Sequence, residues 1–441
     1  SDLLRTATGI LNLQDRRRVK LFMRRDTFRR FYSCIVFIPR DKYSTEVRNR
    51  TEAILGNALD ATNIESTVQL SDSMLARVHL LVYVDRTHTG KVSIRKIESQ
   101  ISDAVVTWTD RLRDALHVYA GEQRGADLFE QYARAFPLAY EEDVDAVRAC
   151  KDIDEVDRQL SSEVADDADS DCQLIVSGEQ SERLHFRVFR RDTPIALSDA
   201  LPLLENLSAR VFTERPYQLR LPTSRFWIQD FELDVGDAID VKSLRRSAGE
   251  FARNFKDQQS GRAEADGYNK LIVTAGLSGR RVMLVRTYAK YLLQLGLPFS
   301  PSYLETLLCE HAPTLTAITD WFVARFDPRA KRRKRRTETL RDKVLASIRT
   351  ASSLDADRAL RALFNAVEAT QRTNFFSAQT QHPHLAAIAI KISTRDVDEA
   401  PLPRPRFEIF VYSPRVEGVH LRAGEVARGG LRWSDRRDDF R

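Results

Sequence analysis

The sequence predicts an α+β fold in which two compact strand-and-helix modules precede a helical region and a final group of strands. Three observations support this prediction. Strand and helix signals follow one another in βαββα order between residues 28 and 118, and a similar order recurs after residue 171. Apolar residues at helical spacing then fill residues 240–326. The predicted domains are 1–120, 121–170 (a helical linker), 171–238, 239–371 (a helical region) and 372–441.

The first module is defined by short β-rich runs that alternate with amphipathic stretches. Pro39 stops the first run, and Ser44 begins the first helix. A single long amphipathic helix is expected over residues 92–118, after two strands with period-two alternation in part. The predicted elements are strand 31–38, the helix from Ser44, strands 64–70 and 76–84, and helix 92–118.

The connection between the modules is predicted to be helical and then exposed. Pro137 interrupts the apolar pattern of residues 125–157, which indicates two short helices. The acidic stretch SSEVADDADSD at residues 161–171 marks an exposed connector. Ser198 is the expected N-cap of the helix in the second module. The elements predicted there are strands 172–176 and 184–189, helix 198–206, and strands 209–212 and 226–233.

Charge and cysteine usage exclude some classes of protein. The chain has 69 basic and 63 acidic residues, so its net charge of +6 does not require a nucleic-acid partner. Its four cysteines are scattered, which fits a reducing cytoplasm, and Cys309 and His311 lack a third metal ligand nearby in sequence. No apolar run reaches the roughly 18 residues that span a bilayer. We expect a cytoplasmic protein that is neither exported nor bound to a membrane.

The basic run RAKRRKRR at residues 329–336 is the strongest local concentration of charge. A nucleic acid or an acidic membrane surface would attract such a run. However, no aromatic residues are interleaved, and a helix with an apolar stripe is predicted from Thr337. We interpret the run as a solvated segment between two helices and do not expect nucleic-acid binding.

The last stretch of the chain carries the candidate binding site. Gly429 and Gly430 lie between Arg428 and Arg432, on a loop expected after two strands at residues 384–392 and 407–412. Glycine pairs allow a backbone to approach a ligand closely, and guanidinium groups grip carboxylates with two hydrogen bonds. This combination indicates a site for a small dicarboxylate. The alternative from spacing alone is a tight basic turn on the surface.

Two motifs carry a resemblance to a known family. The run ARGGLRWSDRRDDFR resembles the substrate-domain signature of the large NAD-specific glutamate dehydrogenases, and RTNFF at residues 372–376 resembles the start of their catalytic region. In the wider family a Lys-Gly-Gly-x-Arg motif holds the side-chain carboxylate of glutamate. Arg428, Gly429, Gly430 and Arg432 match it, with arginine in place of the usual lysine. The first module (βαββα) and the second (βαββ, if strands 172–176 and 184–189 form a hairpin) resemble ferredoxin-like, ACT-type βαββαβ domains, which often bind amino acids.

The resemblance implies a function for a longer protein. That enzyme would convert L-glutamate, NAD and water to 2-oxoglutarate, ammonium and NADH, and it would be a homo-oligomer. Its catalytic lysine, its aspartate and its NAD domain would follow Arg441, so residues 372–441 would be the start of a substrate domain, and no catalytic or cofactor-binding residue is assigned here. The glycines of AGLSGRR, Gly276 and Gly279, lack the third glycine of a dinucleotide fingerprint. The main alternative is an amino-acid-sensing ACT-type module without catalysis; nucleic-acid binding through residues 329–336 is a weaker one.

Overall fold

The computed structural model describes most of the chain as mixed helices and antiparallel sheets. The predicted α+β class is confirmed at this level, since every strand pairing given for the described residues is antiparallel. The chain divides into two compact units, Ser1–Asp154 and Glu155–Arg441. None of the described helices has the length and apolarity needed to cross a bilayer. The described residues are 2–11, 13, 18–69, 73–85, 92–161, 171–176, 184–222, 224–236, 239, 241–331, 333–377, 387–402 and 404–422.

A four-stranded sheet forms the core of the first unit, with strand order β1-β2-β4-β3. One face of β2 is fully apolar, since Cys34, Val36 and Ile38 alternate with half-buried residues and pack with the helices in one core. The Ser44 hydroxyl accepts from the Val47 amide at 3.2 Å, so the predicted helix start is confirmed. The elements are α1 (Asp2–Leu11), β1 (Lys20–Arg25), β2 (Phe31–Pro39), α2 (Thr45–Leu59), β3 (Ala61–Gln69), β4 (Leu75–Val84) and α3 (Ile94–Val105).

Two features of the first unit differ from the prediction. Strand β1 was not predicted, because three of its six residues are basic and its apolar signal is short. The single helix expected over residues 92–118 is two helices, α3 and α4 (Trp108–Ala120). Thr107 begins the second one with a reciprocal capping box to Asp110, whose carboxylate accepts from the Thr107 amide at 3.1 Å.

Three helices follow α4 where the sequence predicted two. Pro137 precedes the additional short helix, and the Asp145 carboxylate then accepts from the Val147 and Arg148 amides, both at 2.9 Å, to begin the next one. Tyr140 anchors the short helix, since its buried hydroxyl donates to Asp152 at 2.6 Å. The elements are α5 (Glu122–Tyr132), α6 (Leu138–Asp143) and α7 (Ala146–Ser161).

The second unit begins with a sheet of the same strand order as the first, β5-β6-β8-β7. Phe186 packs edge-on against Phe251 and Phe255, with ring centroids at 5.3 and 4.9 Å. The expected cap is wrong: Ala196 is the N-cap of this helix. Ser198 lies two residues later, inside the first turn, and its hydroxyl donates to Asp199 at 3.2 Å. The elements are β5 (Asp171–Ile175), β6 (Leu184–Arg191), α8 (Leu197–Glu205), β7 (Arg210–Arg220), β8 (Arg225–Asp234) and α9 (Val241–Gln259).

Helices fill most of residues 241–368, and the interpretation of the basic run needs one correction. Helix α14 begins at Arg333, so the second half of the run is the first turn of a helix and not a linker. Arginine and lysine are good helix formers, and Arg333 donates to the Asp327 carbonyl at 2.8 Å. Ser353 caps the next helix, its hydroxyl accepting from the Ala356 amide at 3.1 Å. The helices are α10 (Leu271–Thr274), α11 (Gly279–Gln294), α12 (Pro301–Cys309), α13 (Ala312–Phe326), α14 (Arg333–Ile348) and α15 (Leu354–Glu368).

A third antiparallel sheet closes the described chain, in the order β12-β11-β10-β9. The two strands that the sequence predicted, at residues 384–392 and 407–412, correspond to β10 and β11 and pair antiparallel, with Ile390 opposite Phe410. Two strands were missed. One is β9, and the other is β12, which separates the predicted second strand from the glycine pair and contains Gly418 and charged residues that hide its strand signal. The strands are β9 (Thr370–Thr373), β10 (Ile388–Ser393), β11 (Phe407–Ser413) and β12 (Val416–Arg422).

Candidate functional site

The predicted substrate-binding residues lie just beyond the described chain. Arg428, Gly429, Gly430 and Arg432 are outside the described residues, which end at Arg422, the last residue of β12. The structure therefore describes the framework from which this motif extends: the sheet β9–β12 and the helices that pack on it.

Helix α11 packs on the buried face of β11. Glu408, Phe410 and Tyr412 alternate along this strand and are all buried. The Tyr291 hydroxyl donates to Glu408 Oε2 at 2.7 Å, and the Tyr291 and Phe410 ring centroids lie 5.6 Å apart. Tyr288 and Tyr291 are three residues apart and so occupy one side of the helix. Through these residues α11 makes both apolar and polar contact with the sheet.

A second group of contacts joins α11 to the start of β12. Lys290 Nζ lies 2.8 Å from Glu264 Oε1 and 3.8 Å from Glu417 Oε2, and Gln294 donates to Glu417 at 3.1 Å. The Tyr412 hydroxyl also donates to Glu264. Burial disfavours the ionised Glu264 carboxylate, but the hydrogen bonds from Lys290 and Tyr412 outweigh it and hold its pKa below the usual value. Glu264 is therefore a fixed anion that Lys290 neutralises.

Arg286, on the same helix, is a buried and permanently charged anchor. Its side chain is 2% exposed and grips Asp266 with two hydrogen bonds, Nε to Oδ2 at 2.7 Å and Nη2 to Oδ1 at 2.6 Å. Asn269 accepts a further bond from Nη2 at 3.0 Å. Burial alone would lower the pKa of Arg286, but the bonds to Asp266 raise it above its usual value. The pair ties the segment before α10 to α11, and Arg286 stays charged at neutral pH.

The other edge of the sheet is fixed by equivalent contacts. The Tyr288 hydroxyl lies 2.7 Å from Thr370 Oγ1 on β9. Arg325 donates to the carbonyls of Glu368 and Thr370 at 3.0 and 3.2 Å, so α13 holds the junction of α15 and β9. Asn374, in the RTNFF segment, donates to the Ala387 carbonyl at 3.0 Å and accepts from the Ala389 amide at 2.8 Å. These side chains hold the start of the sheet in register.

The glycines of AGLSGRR do not form a dinucleotide site. They follow helix α10, whereas the dinucleotide fingerprint follows a strand. The Gly279 amide at the start of α11 donates to Glu250 Oε2 at 3.1 Å. A carboxylate thus occupies the position that a pyrophosphate would need, and its negative charge would repel one.

Cys309 and His311 make packing contacts. His311 Nδ1 lies 2.9 Å from the Leu307 carbonyl, and Cys309 Sγ lies 3.5 Å from the Gly267 carbonyl. In the part of the chain that the structure describes, no three His, Cys, Asp or Glu side chains are grouped as metal ligands. Burial raises the pKa of the Cys309 thiol to about 12, so at neutral pH this sulfur is a thiol.

Comparison with known protein families gives matches along most of the chain. Residues 343–441 match the catalytic domain of bacterial NAD-glutamate dehydrogenase, and this match includes Arg428 to Arg432. The remaining matches are to glutamate dehydrogenase modules: an ACT2 domain at 20–109, helical motif 2 at 115–158, an ACT3 domain at 172–244 and helical motif 3 at 263–328.

Individual relatives match the whole chain. It is 38% identical over 440 residues to the NAD-specific glutamate dehydrogenase of Halomonas elongata, 37% identical over 449 residues to that of Pseudomonas aeruginosa, and 38% identical over 463 residues to that of Mycobacterium tuberculosis. The chain belongs to the large NAD-specific glutamate dehydrogenase family. It spans 27–28% of the length of these curated relatives, so it corresponds to one segment of such a protein.

Sequence reasoning alone did not find Tyr291, Glu408 or Lys290. The signal that could have indicated Glu408 is an acid within the otherwise apolar run FEIFVY, since a carboxylate on a buried strand face needs a donor. Tyr291 and Lys290 carried no comparable signal. A tyrosine on a long helix usually packs against apolar side chains, and a lysine usually lies in solvent, each without a specific partner.

Proposed function

We propose that this chain is the segment of an NAD-dependent glutamate dehydrogenase that joins regulatory modules to the start of the substrate domain. The complete enzyme converts L-glutamate, NAD and water to 2-oxoglutarate, ammonium and NADH in the cytoplasm. The observation that carries the proposal is the similarity of the whole chain to enzymes named NAD-specific glutamate dehydrogenase, together with a catalytic-domain match over residues 343–441 that includes the glycine pair.

In this proposal the terminal motif binds the side-chain carboxylate of glutamate. Arg428 supplies the cation, the amides of Gly429 and Gly430 approach the ligand, and Arg432 supports them. Binding at this position places the α-carbon for hydride transfer, which is catalysis by proximity. NAD, when bound, accepts that hydride. Its binding residues are proposed to lie in other parts of the enzyme, since among the described residues the glycines of AGLSGRR do not fit a pyrophosphate.

The two modules are proposed to be ferredoxin-like ACT-type domains that act in regulation and homo-oligomer assembly. The strand orders β1-β2-β4-β3 and β5-β6-β8-β7 support this, since they match the ferredoxin-like order with the edge strand placed before the module instead of after it. The matches to ACT2 and ACT3 domains cover both modules.

Amino-acid sensing is a second candidate function, and one observation favours it. An open groove runs between the end of α2 and the edge strand β3, lined mainly by polar side chains that include Asn49, Glu52, Asn57 and Asn63. Amides and carboxylates of this kind can bind both charged groups of a free amino acid. Calorimetric titration of the chain with a panel of amino acids tests this candidate: binding abolished by Asn57→Ala supports it, and no heat from any amino acid excludes it.

The primary proposal is tested by activity. The full-length enzyme should form NADH from glutamate and NAD, whereas the pure 441-residue chain should form none, because the proposed catalytic and NAD-binding residues are elsewhere. NADH formation by the pure chain would contradict the assignment of the chemistry, and a full-length enzyme without glutamate-dependent NADH formation would overturn the proposed function.

A further inference from the structure

The loop between β1 and β2, residues 26–30, displays a phenylalanine in solvent. Phe28 is 70% exposed, although phenylalanine is among the side chains most often buried in a core. The Asp26 amide closes the loop by donating to the Phe31 carbonyl at 2.9 Å. The Arg30 guanidinium lies over the Phe28 ring, 5.3 Å from its centroid. The ring is therefore supported before any partner binds, which lowers the entropy cost of binding.

The residues around Phe28 are strongly basic. Residues 24–30 (RRDTFRR) contain four arginines and one aspartate. Asp26 pairs with Arg30 at 3.0 Å, whereas Arg24 and Arg29 are exposed. Aromatic and arginine side chains are the residues that most often contribute the binding energy of protein interfaces. The β1–β2 loop therefore has the composition of an anchor for a partner surface that is acidic and has an apolar centre.

Helix α6 carries a surface of this kind on the same unit. Leu138, its first residue, is 77% exposed, and the helix ends with three consecutive acids, Glu141, Glu142 and Asp143. Glu141 and Glu142 follow Leu138 by three and four positions, so the three side chains share one side of the helix. The buried Tyr140 anchors the helix from the opposite side. Helix α6 thus presents an exposed leucine beside carboxylates.

We propose that the β1–β2 loop of one copy docks on helix α6 of a second copy in the homo-oligomer. Phe28 packs against Leu138, and Arg24 and Arg29 face the carboxylates of α6. Both surfaces are exposed within one copy, and both lie in the first unit, so every copy offers one of each. A two-fold dimer uses the contact twice, and a ring uses it once per subunit. This inference rests on the proposed role of the modules in assembly.

The first test is sedimentation velocity of the 441-residue chain over a range of concentrations. The original chain should self-associate, and added salt should weaken the association because salt screens the charges. Phe28→Ser should raise the dissociation constant about thirtyfold, the usual effect of removing an aromatic anchor. Phe212→Ser is the matched control. Phe212 is 61% exposed but lies in the second module, outside both surfaces, so its removal should leave the dissociation constant unchanged.

A charge exchange identifies the partner surface. Arg29→Glu and Glu142→Lys should each raise the dissociation constant about tenfold or more, because each places like charges opposite one another. The double variant Arg29→Glu/Glu142→Lys should recover most of the loss, since opposite charges face each other again. Arg335→Glu, at an exposed position of α14, makes the same change in net charge as Arg29→Glu and should have no effect.

Three results would overturn the inference. A chain that stays monomeric at every concentration has no such contact, and an oligomer that Phe28→Ser leaves intact uses another surface. Weaker association with Arg29→Glu but not with Glu142→Lys would show that the loop docks elsewhere. The proposed function is tested separately, because NADH formation from glutamate by the full-length enzyme does not depend on any of these three results.

Discussion

Arg286 and Asp266 form a bidentate ion pair in which the arginine side chain is 2% exposed. Arg286→Met should destabilise the second unit by about 3–5 kcal/mol, because it leaves the Asp266 carboxylate without its main partner in a buried site. Adding Asp266→Asn should restore part of the loss. Denaturant unfolding of the three proteins measures both effects.

The control for this prediction is an exposed pair of similar length. Arg361 Nε lies 2.7 Å from Asp357 Oδ2, with the arginine side chain 52% exposed. Arg361→Met should barely change the unfolding free energy, because solvent screens such pairs. Equal losses for Arg286→Met and Arg361→Met would show that burial does not govern the stability of these pairs.

His185 should make the stability of the second unit depend on pH. The hydrogen bond to Asp230, at 2.9 Å, raises the pKa of His185 against the opposing effect of burial, and Arg187, 2.9 Å from the same carboxylate, helps hold the pKa of Asp230 below its usual value. Because folding raises the pKa of His185, protonated His185 stabilises the fold. This stabilisation is complete below the unfolded pKa of about 6.5 and is lost as pH rises through the folded pKa.

The measurement is Tm as a function of pH from about 5.5 to 8.5, a range that brackets the ordinary histidine pKa. The Tm of the original chain should fall as pH rises through the folded pKa of His185. The Tm of His185→Gln should not show this fall. A variant with the same pH dependence as the original chain would show that His185 does not contribute.

The basic run should be dispensable for folding. Replacing Lys331, Arg332, Arg333, Lys334, Arg335 and Arg336 by glutamine should leave Tm within about 3 °C or raise it slightly, since the described cations of this set are exposed and those from Arg333 onward lie at the positive end of the α14 dipole. Arg341→Gln is the control, because it removes a 2.6 Å pair with Glu368. A larger fall in Tm for the run than for Arg341→Gln would show that the run is packed or paired.

The elements that sequence reasoning predicted are those with strong local signals. Strand β2 is a β-rich run stopped by Pro39, and α2 begins at the N-cap Ser44, so both were predicted. Strands β1 and β12 were missed because basic residues, and Gly418 in β12, mask their alternation. The separation of α3 from α4 was missed because it depends on the N-cap at Thr107, and apolar periodicity gives no information about a cap.

For the candidate site, only the local sequence motif could be predicted from the sequence. Arginines around a glycine pair are a local pattern, so they could be recognised and matched to a family. The pair of Tyr291 and Glu408 joins residues 117 positions apart, and nothing in either local sequence indicates the other. Contacts of this kind require the fold, since they arise from the packing of α11 on the third sheet.

The central claim is that Arg428 binds the side-chain carboxylate of glutamate. In the full-length enzyme Arg428→Ala should raise KM for glutamate roughly ten- to a hundredfold, because a charge-assisted contact contributes about 1.5–3 kcal/mol, and KM for NAD should stay nearly unchanged. Arg436→Ala, outside the glycine pair, is the control and should have a mild effect. If Arg428→Ala and Arg436→Ala both left KM for glutamate nearly unchanged, the result would contradict the account. The motif would then be only a basic turn.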